Sequence, residues 1–252
     1  MADPRRPHLP FDPDQTRDVL REGELEVVGR ILASTNHALF CRVTRACPDP
    51  EPPEVVDAIY KPVRGERPLD DFPDGTLCRR EVATYLVSEA TGWSIVPPTV
   101  MRDGPFGEGM VQLWIDVDES IDVVGLVIDD DPRLRQIAVL DAIVNNTDRK
   151  GGHLLPVRGG HIFGVDHGVC FSPVPKLRTV LWGWRGDPLD DGELQVVARV
   201  RDELDGALGA ELCALLDPIE VAATVRRTER LLQTRRFPRP SPNWPAVPWP
   251  PF

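Results

Sequence analysis

Residues 140–155, LDAIVNNTDRKGGHLL, set the tightest limit on how this chain can fold. An apolar run of helical character stops at two Asn, and Asp148, Arg149, two Gly and a His follow before the next apolar pair. Asn and Gly accept the left-handed and turn conformations that end a helix. The short apolar runs LLPV and HIFGV then flank Arg158-Gly159-Gly160, which predicts a small hairpin. Asp166 stands at the end of its second strand, in GVDHGVCF. A helix, a loop and a hairpin in this order bring Asp148 and Asp166 toward one cleft, although 18 residues separate them.

The chain has 252 residues and a formal charge of −11. That length suits one large domain or two lobes with a real core. An acidic chain is a poor general ligand for nucleic acid, because such binding rests on neutralising phosphates. The five Cys show no C-x-x-C spacing, and no run reaches the roughly 18 apolar residues of a membrane span. A reduced, cytoplasmic protein without stable membrane association is expected. Only three of the 29 basic residues are Lys: Lys61, Lys150 and Lys176. Codon bias accounts for a general preference for Arg, so each retained Lys marks a place where Arg does not serve.

The first half reads as strand-rich with one helix inserted. A short helix starts near Asp14. ELEVVGRIL and ALFCRVTRA form a hairpin across ASTNH, and VVDAIYKPV is a third strand carrying Lys61. LCRREVATYLVSEATG has helical spacing and a Gly stop, while SIVPPTVM and GMVQLWIDV read as strands. The second half is mainly helical: DPRLRQIAVLDAIVNN, two helices near 188–205 and 207–216, and a last helix with Asp217 as N-cap. Residues 237–252 contain seven Pro and exclude helix or central strand. The expected division is an arm over 1–13, an N-lobe over 14–112, a C-lobe over 113–236 and an extended tail over 237–252. The class is α+β.

A strand lysine, a helix carboxylate, a loop Asp and a strand-end Asp, in that order, are the parts that phosphoryl transfer from ATP requires. Lys61 is the cation, Glu81 its anchor, Asp148 the residue that acts on the acceptor hydroxyl, and Asp166 the metal carboxylate. On these residues the chain resembles the protein-kinase-like superfamily on its phosphatidylinositol 3-/4-kinase side. AIYKPV is similar to the lysine strand of type II phosphatidylinositol 4-kinases. REVATYLVSEATGWSIVPPTV is similar to their helix and following strand, and NNTDRKGGHLL…FGVDHGVCF to their catalytic loop and Asp-x-Gly turn. The resemblance covers about residues 25–172 and points to an actinobacterial kinase-like family.

The resemblance implies a bilobal protein-kinase-like fold, ATP as cofactor, and Mg²⁺ or Mn²⁺ on Asp166 and His153. It also implies phosphate contacts from Ser34, Thr35 and Asn36, and an adenine site at Gln112, Leu113 and Trp114, with Ile31, Ala58 and Val165 as apolar walls. The family pattern has Asn five residues after the loop Asp, where this chain has His153, a nitrogen donor in place of the oxygen Mg²⁺ prefers. The implied partners are a nucleotide and a hydroxyl acceptor; despite the resemblance, the lack of palmitoylation-type Cys clusters and membrane segments and the short C-terminal lobe put a protein or small molecule ahead of a lipid. A catalytically impaired nucleotide-binding scaffold is the rival reading, and nucleotidyl transfer a third. His153, His161 and His167 raise the question of zinc, which no Cys pair supports. Arg149 reads as a structural brace. Arg226, Arg227, Arg230, Arg235 and Arg236 make the last helix basic, which suits a solvated face, an anionic membrane or a phosphorylated partner.

Overall fold

Strands of β-branched and aromatic residues build one antiparallel sheet in the N-terminal half. The computed structural model describes residues 9, 11–31, 37–49 and 51–252. Within them β1 (Glu24–Ile31), β2 (Ala38–Arg45), β3 (Glu54–Pro62), β4 (Thr99–Gly104) and β5 (Gly107–Leu113) pair in the order β1-β2-β3-β5-β4. The hairpin β1–β2 and the Lys61 strand stand where the alternation of the sequence places them. α1 (Pro13–Glu22) starts one residue ahead of its expected place, because the Asp12 carboxylate accepts from the N–H of Gln15 and so caps it. The stretch expected as an arm includes Phe11, whose ring stacks on Phe163 at 6.0 Å.

α2 (Leu77–Thr91) lies between the sheet and the helices of the second half. It is buried on nearly every side, so its polar residues Arg80, Glu81, Thr84 and Ser88 are buried with its apolar ones. Gly92 closes it in the left-handed conformation, at φ 69°. The strand expected over 94–101 begins only at Thr99. Pro97 and Pro98 bring no N–H to a ladder, and the N–H groups of Ile95 and Val96 go instead to the Ser88 hydroxyl of α2.

The second lobe is mainly helical. α4 (Arg135–Val144) forms its centre, with every residue from Ile137 to Val144 buried. α5 (Asp191–Leu204), α6 (Ala207–Leu215) and α7 (Pro218–Thr234) pack with α2 and α4 around it. α7 has Asp217 and Glu220 in a reciprocal cap, as the sequence predicts. A short α3 (Val123–Ile128), capped by Asp122, has too few residues to show a period in the sequence. The hairpin of β6 (Leu154–Pro156) and β7 (Ile162–Gly164) packs Val157 and Phe163 into the core of the N-terminal sheet. The architecture is α+β, a strand-rich lobe joined to a helical one.

That joint holds a histidine whose surroundings disfavour the proton. His161 faces the carbonyl of Ser94 at 2.9 Å, and its ring stands edge-on to Phe163 at 4.4 Å. Burial pushes its imidazole below the ordinary 6.5. The unfolded chain therefore binds the proton first, and stability falls as pH drops below about 6.5. Burial pushes His153 and His167 in the same direction. We expect Tm to fall on acidification from about pH 7.5 to 5.5, and part of that fall to vanish in His161→Gln. An unchanged fall in the variant would contradict this account.

Candidate active site

Lys61 leaves the end of β3 with its side chain largely buried, at 16% exposure. Its Nζ donates to Glu81 Oε1 at 2.7 Å and to Asp166 Oδ1 at 2.9 Å. Glu81, buried on α2 at 2% exposure, uses its second oxygen to accept from the N–H of His167 at 2.8 Å. One carboxylate thus ties the lysine strand to the turn that follows β7. Burial alone would lower the pKa of Lys61, but Asp166 and Glu81 outweigh it and raise the pKa above its usual range. Burial pushes the Glu81 carboxyl up, against the pull of Lys61. Asp166 is held below the usual carboxylate range, first by Lys61. Its backbone is left-handed, at φ 61°, and its side chain is half exposed, at 53%.

Asp148 lies across the same opening. Its two oxygens are each met by a cation, Arg178 Nη2 on Oδ1 at 2.9 Å and Lys150 Nζ on Oδ2 at 3.1 Å. The loop that carries it is stitched on every side. Asn145 ends α4 in the left-handed conformation, Asn146 Oδ1 accepts from the N–H of Asp148, and the Thr147 hydroxyl donates to Val169 O. Arg149 turns inward to a fully buried pair with Asp141, Nη2 to Oδ1 at 2.9 Å and Nε to Oδ2 at 3.0 Å, and also donates to Val165 O at 3.0 Å. It braces the Asp148 loop against the approach to Asp166.

Lys61, Glu81, Asp148, Lys150 and Asp166 border one cavity of about 600 Å³. Gln112, Leu113 and Trp114 do not border it. The N–H of Leu113 is donated to Pro98 O and that of Trp114 to Asp57 O, so neither amide is open to a ligand. The Gln112 side chain is buried and donates to Thr99 Oγ1. Ala58 is fully buried in the sheet core, and Ile31 and Val165 are half-buried. Ser34, Thr35 and Asn36 lie outside the described residues. Among the described residues no cluster of three or more His, Cys, Asp or Glu side chains is placed to hold a metal ion. His153 Nε2 stands 3.4 Å from Asp166 Oδ2, and its Nδ1 accepts from the N–H of Lys150 at 3.4 Å. That pairing leaves the imidazole proton on Nε2, facing Asp166.

Sequence reasoning misses Arg178, and takes Trp244 only as an anchor that lays the tail over the body. Residues 178–180 run beside the Asp148 loop, with Arg149 N donating to Arg178 O and Val180 N to Arg149 O. The proline-rich tail closes the other side: Thr179 N donates to Ala246 O and Gly151 N to Pro251 O. The Phe252 ring fills the space a Cβ at Gly151 would need. Trp244 borders the cavity, and Lys176 Nζ sits 4.5 Å from its ring centre and 2.9 Å from Asp71. Lys61 and Lys150 border the opening, and Lys176 holds two residues that border it, Asp71 and Trp244.

These groups define a cleft with a buried cation, a half-exposed carboxylate and a braced loop carboxylate. No known family's model matches the chain. Protein Rv2133c of Mycobacterium tuberculosis is 41% identical over an alignment of 274 residues that covers 95% of this chain and 96% of that protein. The chain belongs to the family of Protein Rv2133c. Phosphatidylinositol 4-kinase gamma 4 of Oryza sativa subsp. japonica is 30% identical over 122 residues, 41% of this chain and 22% of that one. The crystal structure of the Helicobacter pylori proinflammatory kinase CtkA is similar over 86% of this chain and 94% of its own, at 10% identity and a TM-score of 0.46, too low to carry an argument.

Proposed function

We propose that this protein is a kinase-like phosphotransferase that moves the γ-phosphoryl group of ATP to a hydroxyl. The observation that carries the reading is Lys61, held between Glu81 and Asp166 where the cavity meets Asp148. Partial similarity to the rice phosphatidylinositol 4-kinase supports it. Lys61 binds phosphate oxygens, and Glu81 keeps its ammonium in place. Asp148 orients the acceptor hydroxyl and takes its proton, while Lys150 and Arg178 fix the direction of its carboxylate. Little covalent chemistry falls to the protein; position and charge neutralisation supply the rate.

A magnesium site of this type uses one or two carboxylates and the substrate's own phosphates, and the half-exposed Asp166 fits that need. Mg²⁺ or Mn²⁺, when bound, supplies charge neutralisation between the phosphate oxygens. His153, with its proton facing Asp166, serves as a donor that orients that carboxylate. The base edge falls to groups other than the Leu113 and Trp114 amides. A protein side chain or a small polar molecule is the proposed acceptor, ahead of a lipid. No helix among the described residues is long and apolar enough to cross a membrane. A cytoplasmic setting, and the division into lobes at residue 112 with a tail from 237, belong to the same proposal.

The test is incubation with γ-labelled ATP and Mg²⁺ or Mn²⁺, read by label transfer and by mass. Transfer of phosphate lost in Asp148→Asn is the expected result; label transfer that survives the change would remove Asp148 from its role. His153 in the metal-binding position favours one other reading, a nucleotide-binding protein without turnover. That reading predicts ATP binding with no product, and product once His153→Asn restores an oxygen donor.

A further inference from the structure

The arginines at the end of the last helix do not share one environment. Arg235 reaches Asp191 at 3.3 Å. Arg227 turns inward, and its Nε donates to Ile143 O at 2.7 Å, its Nη1 to Ser172 O at 3.3 Å and its Nη2 to Thr224 Oγ1 at 2.7 Å. None of these partners is an anion. Burial lowers the guanidinium to about 10.

Arg227 borders a second cavity, of about 680 Å³, between α4, α7 and the root of the proline-rich tail. Arg230 of α7 and Arg236 and Arg239 of the tail border it too, and no Asp or Glu does. Arg236 donates to Gly186 O at 2.8 Å, and the Arg239 guanidinium packs against Gly186. Among the described residues the guanidinium groups of Arg230 and Arg239 have no ion-pair or hydrogen-bond partner. In a chain of net charge −11, four cations around one space without a carboxylate is a strong local reversal.

Arg230, Arg236 and Arg239 are exposed and Arg227 is half-buried. Like charges so placed repel, and an anion among them relieves that repulsion. The guanidinium fork matches two oxygens of a phosphate, and the volume is that of a small-molecule site. The backbone that carries Arg236 and Arg239 is held in place before anything binds. Leu189 N donates to Arg235 O, Phe237 N to Asp187 O, and Pro188 pairs with Arg236, so the tail root is fixed against the body. Leu177, Leu231 and Phe237 give it an apolar floor.

We propose that this cavity binds a phosphate-bearing ligand, with Arg230, Arg236 and Arg239 on the phosphate oxygens and Arg227 below them. The site is separate from the cleft of Lys61 and Asp148, since the two cavities share no residue. The phosphate is carried either by a soluble molecule or by a lipid headgroup.

The test is calorimetric titration of the full chain with inorganic pyrophosphate, beside Arg230→Gln/Arg239→Gln and Lys61→Met. The expected result is binding that weakens roughly tenfold or more in the double variant, as two charge-assisted contacts are lost, and that survives in Lys61→Met. The unliganded double variant should melt no lower than the wild type, because neither guanidinium holds a hydrogen bond or an ion pair and their mutual repulsion is removed. A melt well below the wild type would assign them a structural role and overturn the proposal. Equal affinity in the double variant, or no binding by the wild type, would overturn it as well. Cosedimentation with phosphatidylcholine vesicles carrying phosphatidic acid, lost in the double variant, assigns the phosphate to a lipid. Pyrophosphate binding without cosedimentation assigns it to a soluble ligand.

Discussion

Lys61→Met is expected to lower phosphoryl transfer by roughly 10²- to 10³-fold, the loss that follows removal of one preorganised charge from a developing anion. The methionine fills the same space but leaves Glu81 and Asp166 without the cation they share. Lys61→Arg should fail as well. A planar fork cannot take the place of a compact ammonium between two carboxylates set 2.7 and 2.9 Å from one nitrogen. The chain has 29 basic residues and keeps Lys at three of them, two of which, Lys61 and Lys150, border this opening. Steady-state rates per folded molecule check both variants, and an active Lys61→Arg would show that charge alone suffices there.

Arg149→Met is expected to cost about 3–5 kcal/mol of stability, because Asp141 is left charged and buried without its partner. Both side chains are fully buried, at 0% exposure. Asp141 would keep only the Asn146 amide at 2.9 Å and the Thr179 hydroxyl at 3.4 Å. In a chain of this size the loss corresponds to a fall in Tm of about 10 °C. Arg149→Met with Asp141→Leu should recover part of it, since an apolar pair of similar volume replaces a buried ion pair at little cost. A double variant less stable than either single one would show that Asp141 serves the loop through other bonds.

Much of this architecture is legible in the residues. The turn formers at Asn145, Asn146, Gly151 and Gly152 end α4 and shape the Asp148 loop, and the spacing to Asp166 delivers the second carboxylate to the same cavity. Lys61 and Glu81 meet because a strand and a helix of ordinary length place them so. What stayed hidden came from long-range contact. Arg178 reaches Asp148 through backbone pairing between two loops, which no local period encodes. The expected strand over 94–101 shortened because its amides found the Ser88 hydroxyl instead of a neighbouring strand. Proline told that residues 237–252 are extended, but not that they lie against the Asp148 loop through Pro251 and Phe252. The basic end of the last helix gave its charge in the sequence, while only packing separated Arg235, paired with Asp191, from the arginines that face a cavity.

The most direct test of the central claim is thermal unfolding with ATP, with and without Mg²⁺ or Mn²⁺, beside Asp166→Ala. A nucleotide at 100 times its Kd adds about 2.7 kcal/mol to the folded state, a readily visible rise in Tm. The account predicts a rise that requires the metal and is lost in Asp166→Ala. No rise with any pairing of nucleotide and metal, or a rise that Asp166→Ala leaves unchanged, would contradict it.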